Sequence, residues 1–172
     1  MAEVPSSLAV LFADVSGSTR LYESLGDAEA LATIGRCVAL MSTVCVGHGG
    51  RVVKTIGDEV MAVFPSADSA AKAAVEMQAR VSEHPPVGGS RLAIRVGFHL
   101  GPAIETDGDV FGDSVNVAAR MAALAKREQI ILSSYTADAL APWLRARSRN
   151  RYAVGQGQVP GHSHLRADLA GL

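Results

Sequence analysis

Two acidic residues stand where a chain can offer oxygen atoms to a cation. Asp14 closes an apolar run, LAVLFADV (residues 8–15), and Asp58 lies between two β-branched runs, RVVKTI (51–56) and VMAVF (60–64). Carboxylates that converge at strand ends suit Mg²⁺, which takes oxygen ligands, keeps several waters and shares phosphate oxygens with a substrate. Two such ions can activate an attacking oxygen and neutralise a leaving one. The same residue types also serve as a helix cap and a turn residue, and spacing alone leaves both readings open. Lys54 lies four residues before Asp58, which on a strand puts both side chains on one face. Asn116 and Arg120 are spaced i, i+4 on a predicted helix and share a face. An exposed strand lysine and a solvated helix surface are the plain alternatives for these three.

The elements that must position these residues follow from periodicity. Residues 8–15 read as a buried central strand. One helix should follow, capped by Ser18 or Thr19, with Leu31, Ile34, Val38, Met41 and Cys45 on its apolar face, ending at GHGG (47–50). Residues 51–64 form a hairpin turning at Gly57, Asp58 and Glu59. A helix over 66–82 turns Ala70, Ala74, Met77 and Val81 inward. HPPVGGS (84–90) is a loop, and 91–99 with 102–106 make a strand pair around Gly101-Pro102. A helix over 113–125 buries Val115, Ala118 and Ala122, followed by a strand at 129–133 and a short helix at 135–141. The order β-α-β-β-α-β with extra C-terminal elements implies an α+β, ferredoxin-like sandwich, its antiparallel sheet covered on one face by helices.

The bulk composition narrows the function classes. The chain has 172 residues, 48% hydrophobic and 19% charged, which fits one globular domain. A net charge of −1 gives no reason to expect nucleic acid or an anionic membrane as partner. No apolar run approaches a membrane-spanning length, and the N-terminus lacks the features of a signal peptide. Cys37 and Cys45 fall about two turns apart on one helix, too far to bridge, and read as core residues of a cytoplasmic protein. His99 is expected to pack beside the site as a hydrogen-bonded structural residue, and Trp143 in the core or at a dimer edge.

Three segments in order carry a resemblance. FADVSGSTRL (12–21) is similar to the first metal motif of the class III adenylyl and guanylyl cyclases, and GGRVVKTIGDEVMAVF (49–64) is similar to the second. DVFGDSVNVAARM (109–121) resembles their third block. The resemblance covers residues 8 to about 141 and implies an adenylate cyclase that converts ATP to 3′,5′-cyclic AMP and pyrophosphate. It implies a head-to-tail homodimer with sites at the interface. It also implies two Mg²⁺ ions, replaceable by Mn²⁺, held by Asp14, Asp58 and the Val15 carbonyl. Lys54 and Asp109 would read the adenine edge as donor and acceptor, a pattern that guanine reverses. Asn116 would orient the ribose and Arg120 would meet charge on the α-phosphate. No GGDEF-type run occurs, which disfavours a diguanylate cyclase.

The end of the chain departs from that pattern. The cyclase domain is expected over 1–145 and a divergent tail over 146–172. The family's terminal phosphate-binding lysine has no counterpart, since no lysine follows Lys126 and Val159-Pro160-Gly161 stands in its place. Read one nucleotide later, residues 155–159 permit Val-Lys-Gly-Lys-Ser, compatible with a frameshift that replaced a normal ending. The alternative function is therefore a weak or inactive cyclase-like module that dimerises or binds nucleotide. The sequence names no activating signal, and sensor domains would be partners if the chain is part of a longer protein.

Overall fold

The structure is a computed structural model that describes residues 4–147 and the backbone of 164–167. Its first strand, β1 (Ser6–Val15), runs through the middle of the sheet. Ala9, Val10, Leu11 and Ala13 are fully buried because both faces and both edges of β1 are covered. On one edge lies β3 (Glu59–Phe64), antiparallel, and on the other β4 (Ile94–Thr106), also antiparallel. The sheet continues to β2 (Arg51–Ile56) beyond β3, and to β6 (Ile130–Ser133) and β7 (His164–Ala167) beyond β4. A short β5 (Asp109–Phe111) turns back on the end of β4.

The α+β sandwich is as expected, with corrections in its details. Where one helix was expected after β1 there are two, α1 (Ser18–Leu25) and α2 (Asp27–Gly47). Gly26 breaks them with φ 80°, a conformation that glycine adopts without strain. Neither Ser18 nor Thr19 caps the first; Gly17 does, with φ 72° and no side-chain cap. The break shifts the phase of α2, so Ala30, Ile34, Cys37, Met41, Val44 and Cys45 face inward and Leu31 is 63% exposed. Burial pushes the Cys37 thiol up to about 11 and the Cys45 thiol to about 12, which leaves both neutral. With 21 residues, α2 is long and apolar enough by length and composition to cross a membrane, contrary to the expectation from the sequence. In the fold its apolar face packs in the main core with β1, β3 and α3 (Ala67–Ser82).

Segments 91–99 and 102–106 do not pair with each other. Residues 94–106 instead form one continuous strand, β4, whose partner along most of its length is β1. Pro102 stands opposite Ser7, near the end of β1, where the ladder is finishing and a missing N–H costs least. The sheet is also not purely antiparallel, because β6 runs parallel to β4. Helices cover both faces. Helices α1, α2 and α3 share a core with Ala9, Leu11, Ala13 and Val15, whereas α4 (Asp113–Leu124) packs on the opposite face against Val10 and Phe12. The expected α3 is confirmed, with Ala70, Ala74, Met77 and Val81 buried and Ser66 Oγ accepting from Ser69 N. Two short helices, α5 (Ser134–Asp138) and α6 (Pro142–Arg145), follow β6. Trp143 is half exposed with Lys72 Nζ 5.7 Å from its ring centre, so it is not a core residue. Segment 155–161, where the sequence departs from the family pattern, lies outside the described residues; β7 beyond it pairs antiparallel with β6.

Helix α4 lies close on β4 because Gly97 has no side chain. A Cβ at this position would fall on the backbone of Met121 and Ala122. Gly97→Ala should therefore push α4 off the sheet and destabilise the fold by about 1–3 kcal/mol. Urea denaturation followed by circular dichroism checks this, and a midpoint equal to wild type would mean that α4 is not held against β4.

Candidate active site

The two metal-motif carboxylates meet at one end of the sheet. Asp14 is the register partner of Glu59, and Val15 N donates to the Asp58 carbonyl at 3.3 Å. The hairpin between β2 and β3 turns on Gly57 (φ 59°) and Asp58, so Asp58 stands beside the end of β1. Among the described residues, no group of three or more His, Cys, Asp or Glu side chains could by itself enclose a metal. Asp14, Asp58 and the Val15 carbonyl instead offer an all-oxygen set with few protein ligands. That fits Mg²⁺, which retains waters and binds substrate phosphates.

The negative charge gathered there is already answered by a cation. Arg95, opposite Asp14 on β4, donates Nε to Oδ1 at 2.7 Å and Nη2 to Oδ2 at 2.9 Å. This forked pair holds the Asp14 carboxylate, whose side chain is only 13% exposed, in one orientation. The hydrogen bond to Asp14 raises the Arg95 pKa further above its ordinary value, with the charges of Asp14, Asp58 and Glu59 adding to it. Burial raises the Glu59 carboxyl, and the nearby charges of Asp14 and Asp58 raise it further. Sequence reasoning did not single out Arg95 or Glu59. The available signal for Arg95 was a charge set between apolar residues, LAIRVGF (92–98).

The second group of predicted residues gathers around β2 and β5. Lys54 Nζ lies 3.1 Å from Asp109 Oδ1 and 3.0 Å from Oδ2, across 55 positions of sequence. The Val110 N–H donates to Asp109 Oδ1 at 2.8 Å, and with Lys54 it holds the Asp109 carboxyl below its ordinary range. Next to this pair, Arg51 donates to the Gly108 carbonyl at 3.2 Å and to Glu105 Oε1 at 2.6 Å. These contacts fasten β2 to the β4–β5 hairpin. A bulge between Val52 and Lys54 leaves Val53 out of the ladder and turns the strand locally. Asn116 and Arg120 both lie on the exposed side of α4, sharing a face as expected. Among the described residues no hydrogen bond or ion pair joins this group to Asp14 or Asp58. His99 is buried, its Nδ1 2.6 Å from Ser133 Oγ, which is the structural role expected of it.

Comparison with known proteins gives a consistent assignment. Residues 2–166 match the adenylate and guanylate cyclase catalytic domain. An uncharacterised protein of Mycobacterium tuberculosis is 36% identical over 132 residues, covering 77% of this chain and 34% of that protein. An adenylate cyclase of Streptomyces coelicolor is 33% identical over 140 residues, covering 80% of this chain and 35% of that protein. The chain thus spans about a third of the length of these relatives. Among solved structures, an adenylate/guanylate cyclase/hydrolase from Silicibacter pomeroyi superposes with a TM-score of 0.72 at 28% identity, covering 94% of this chain and 96% of that one. The catalytic core of a rhodopsin-guanylyl cyclase with converted specificity, in complex with ATPalphaS, shares the fold at a TM-score of 0.78 and 23% identity. It covers 96% of each chain. The three sequence blocks, the sheet that carries them and these likenesses agree: the chain belongs to the family of adenylate and guanylate cyclase catalytic domains.

Proposed function

We propose that this nucleotide cyclase domain is an adenylate cyclase, converting ATP to 3′,5′-cyclic AMP and pyrophosphate in a homodimer. The observation that carries the choice of base is the Lys54–Asp109 pair, one donor and one acceptor set side by side. Adenine presents an acceptor at N1 beside a donor at its exocyclic amine, so Lys54 and Asp109 match it. Guanine would set donor against donor at N1 and acceptor against acceptor at its carbonyl. The adenylate cyclases among the relatives support the same reading.

The remaining roles follow from residue chemistry. Asp14, Asp58 and the Val15 carbonyl would hold two Mg²⁺ ions, with Mn²⁺ able to substitute. When bound, such ions lower the pKa of the attacking hydroxyl and neutralise the leaving phosphate oxygens. Asn116 orients the ribose so that its 3′-oxygen faces the α-phosphorus. Arg120, exposed and without an ion-pair partner among the described residues, offers its planar guanidinium to charge growing on the α-phosphate. As pyrophosphate leaves, no lysine after Lys126 is present to hold it. That favours a weak enzyme over a fast one, and a cyclase-like binding module remains the second reading.

Three measurements test this. Asp14→Ala and Asp58→Ala should each abolish cyclisation and weaken Mn²⁺ binding, read by calorimetry, while the circular dichroism spectrum is kept; near-native Mn²⁺ affinity in either would remove the metal assignment. Lys54→Glu combined with Asp109→Asn should lower the ATP/GTP ratio of kcat/KM by at least about tenfold. An unchanged ratio would show that other residues choose the base. Finally, inactive Asp58→Ala and Arg120→Ala chains should regain activity when mixed. Half of the resulting dimers are mixed and each holds one complete site, so about a quarter of wild-type activity is expected. Proven mixed dimers without activity would mean that each site is built within one chain.

A further inference from the structure

Arg51 and Lys54 are three residues apart, a spacing that points side chains to opposite faces of a regular strand. On β2 they share a face. Arg51 stands opposite Val63 and Lys54 opposite Met61, and both partners belong to the cluster under α4. Val52, between them, stands opposite Ala62 in the main core. The bulge at Val53 brings this about by adding one residue to the strand. In a regular register Lys54 would stand opposite Val60, which is fully buried in the main core.

The β4–β5 hairpin comes to meet that face. The ladder of β4 with β1 ends at the Ser6–Ala103 pair, so residues 104–106 and β5 extend beyond it. In the sheet, β3 and β1 separate β2 from β4. The hairpin reaches β2 by crossing the α4 face, where Val110 shares a cluster with Val10, Phe12, Met61 and Val63. Its tip is a two-residue turn with Asp107 at φ 49° and Gly108 at φ 78°. Arg51 grips both limbs. Its Nη2 donates to Glu105 Oε1 on β4 at 2.6 Å, and its Nη1 donates at 3.2 Å to the carbonyl of Gly108, the residue before Asp109.

We propose that Arg51 is a positioning residue for base selection: by clamping Glu105 and Gly108 it fixes the spacing of Lys54 and Asp109. This role rests on the base recognition proposed for those two residues. A donor and an acceptor discriminate well only when both are held within about 0.5 Å of the matching geometry. The direct Lys54–Asp109 contact cannot supply that alone. A purine edge bound there draws on the same Nζ hydrogens and Oδ lone pairs that join the two residues. The Arg51 bonds use no atom that the base would take, so they persist when the site is filled.

Calorimetry with 3′-deoxy-ATP and 3′-deoxy-GTP in Mg²⁺ tests this. Both lack the attacking oxygen, so the readout does not depend on turnover. Wild-type protein should prefer the adenine nucleotide. Arg51→Gln should narrow that preference about two- to fivefold, the range for an exposed ion pair, with an unchanged melting curve. The loss should fall on 3′-deoxy-ATP. Arg51→Glu and Glu105→Arg should each narrow the preference, and the two together, which reverse the pair, should recover much of it. Arg80→Gln, which removes an exposed ion pair with Glu76 on α3, should leave both affinities as in wild type. An unchanged preference in Arg51→Gln, an equal loss for both nucleotides, or no recovery in the reversed pair would overturn the role of Arg51. If Lys54→Glu/Asp109→Asn loses the preference while Arg51→Gln keeps it, the base reading stands and the positioning role alone falls. If the preference survives Lys54→Glu/Asp109→Asn, the base reading falls and takes the role of Arg51 with it.

Discussion

Strand β1 has a hydrogen-bonded neighbour on each edge and helices on each face, and every polar group of the site takes its place from that confinement. A one-residue slip of this strand would exchange its two faces, moving Leu11 and Ala13 out of the large core and Phe12 into it. Apolar packing on both sides forbids such a slip. The strand therefore ends at a fixed point, and Asp14 appears there with the Asp58 turn beside it. The position of the charged residues is a consequence of the apolar ones.

Bringing Asp14, Asp58 and Glu59 together raises a cost that the fold must offset. Burial, and after it like charges at close range, disfavour the ionised state, and both raise the Glu59 carboxyl. Arg95 compensates within the chain through its forked pair with Asp14. The Asp14 carboxylate is thus oriented by a side chain of the same chain, which suits the preorganised ligand role proposed for it. The group around β2 and β5 is organised in the same manner by Lys54, Asp109, Arg51 and Glu105, each cation held by a carboxylate from a distant part of the chain.

Much of this was legible in the sequence where local pattern decides structure. The hairpin over 51–64, the inward alanines of α3 and the shared face of Asn116 and Arg120 all follow from period and turn chemistry. The misses have one physical origin, which is that tertiary contacts overruled a local signal. Gly101-Pro102 reads as a turn, yet pairing with β1 carries β4 straight through it. Leu31 reads as an inward residue, yet the break at Gly26 resets the helical phase. Arg95 is 81 positions from Asp14, and only the register of β1 against β4 makes them neighbours. The coverage of both sheet faces was missed because α4 approaches through Gly97, whose role is to be absent.

The sheet order leaves β2 as an outer strand, and an outer strand is a template on which another chain can add. Here that template is spoiled by a bulge at Val53 and by two charged clamps, Arg51 to Glu105 and Lys54 to Asp109, which lay the β4–β5 hairpin against it. Protection of this edge and the base recognition proposed for Lys54 and Asp109 therefore fall to the same side chains. A lineage that drifts in its choice of purine also alters how well this margin resists unwanted strand addition. Tolerance to aggregation thereby becomes a selective filter on which nucleotide specificities the domain can reach.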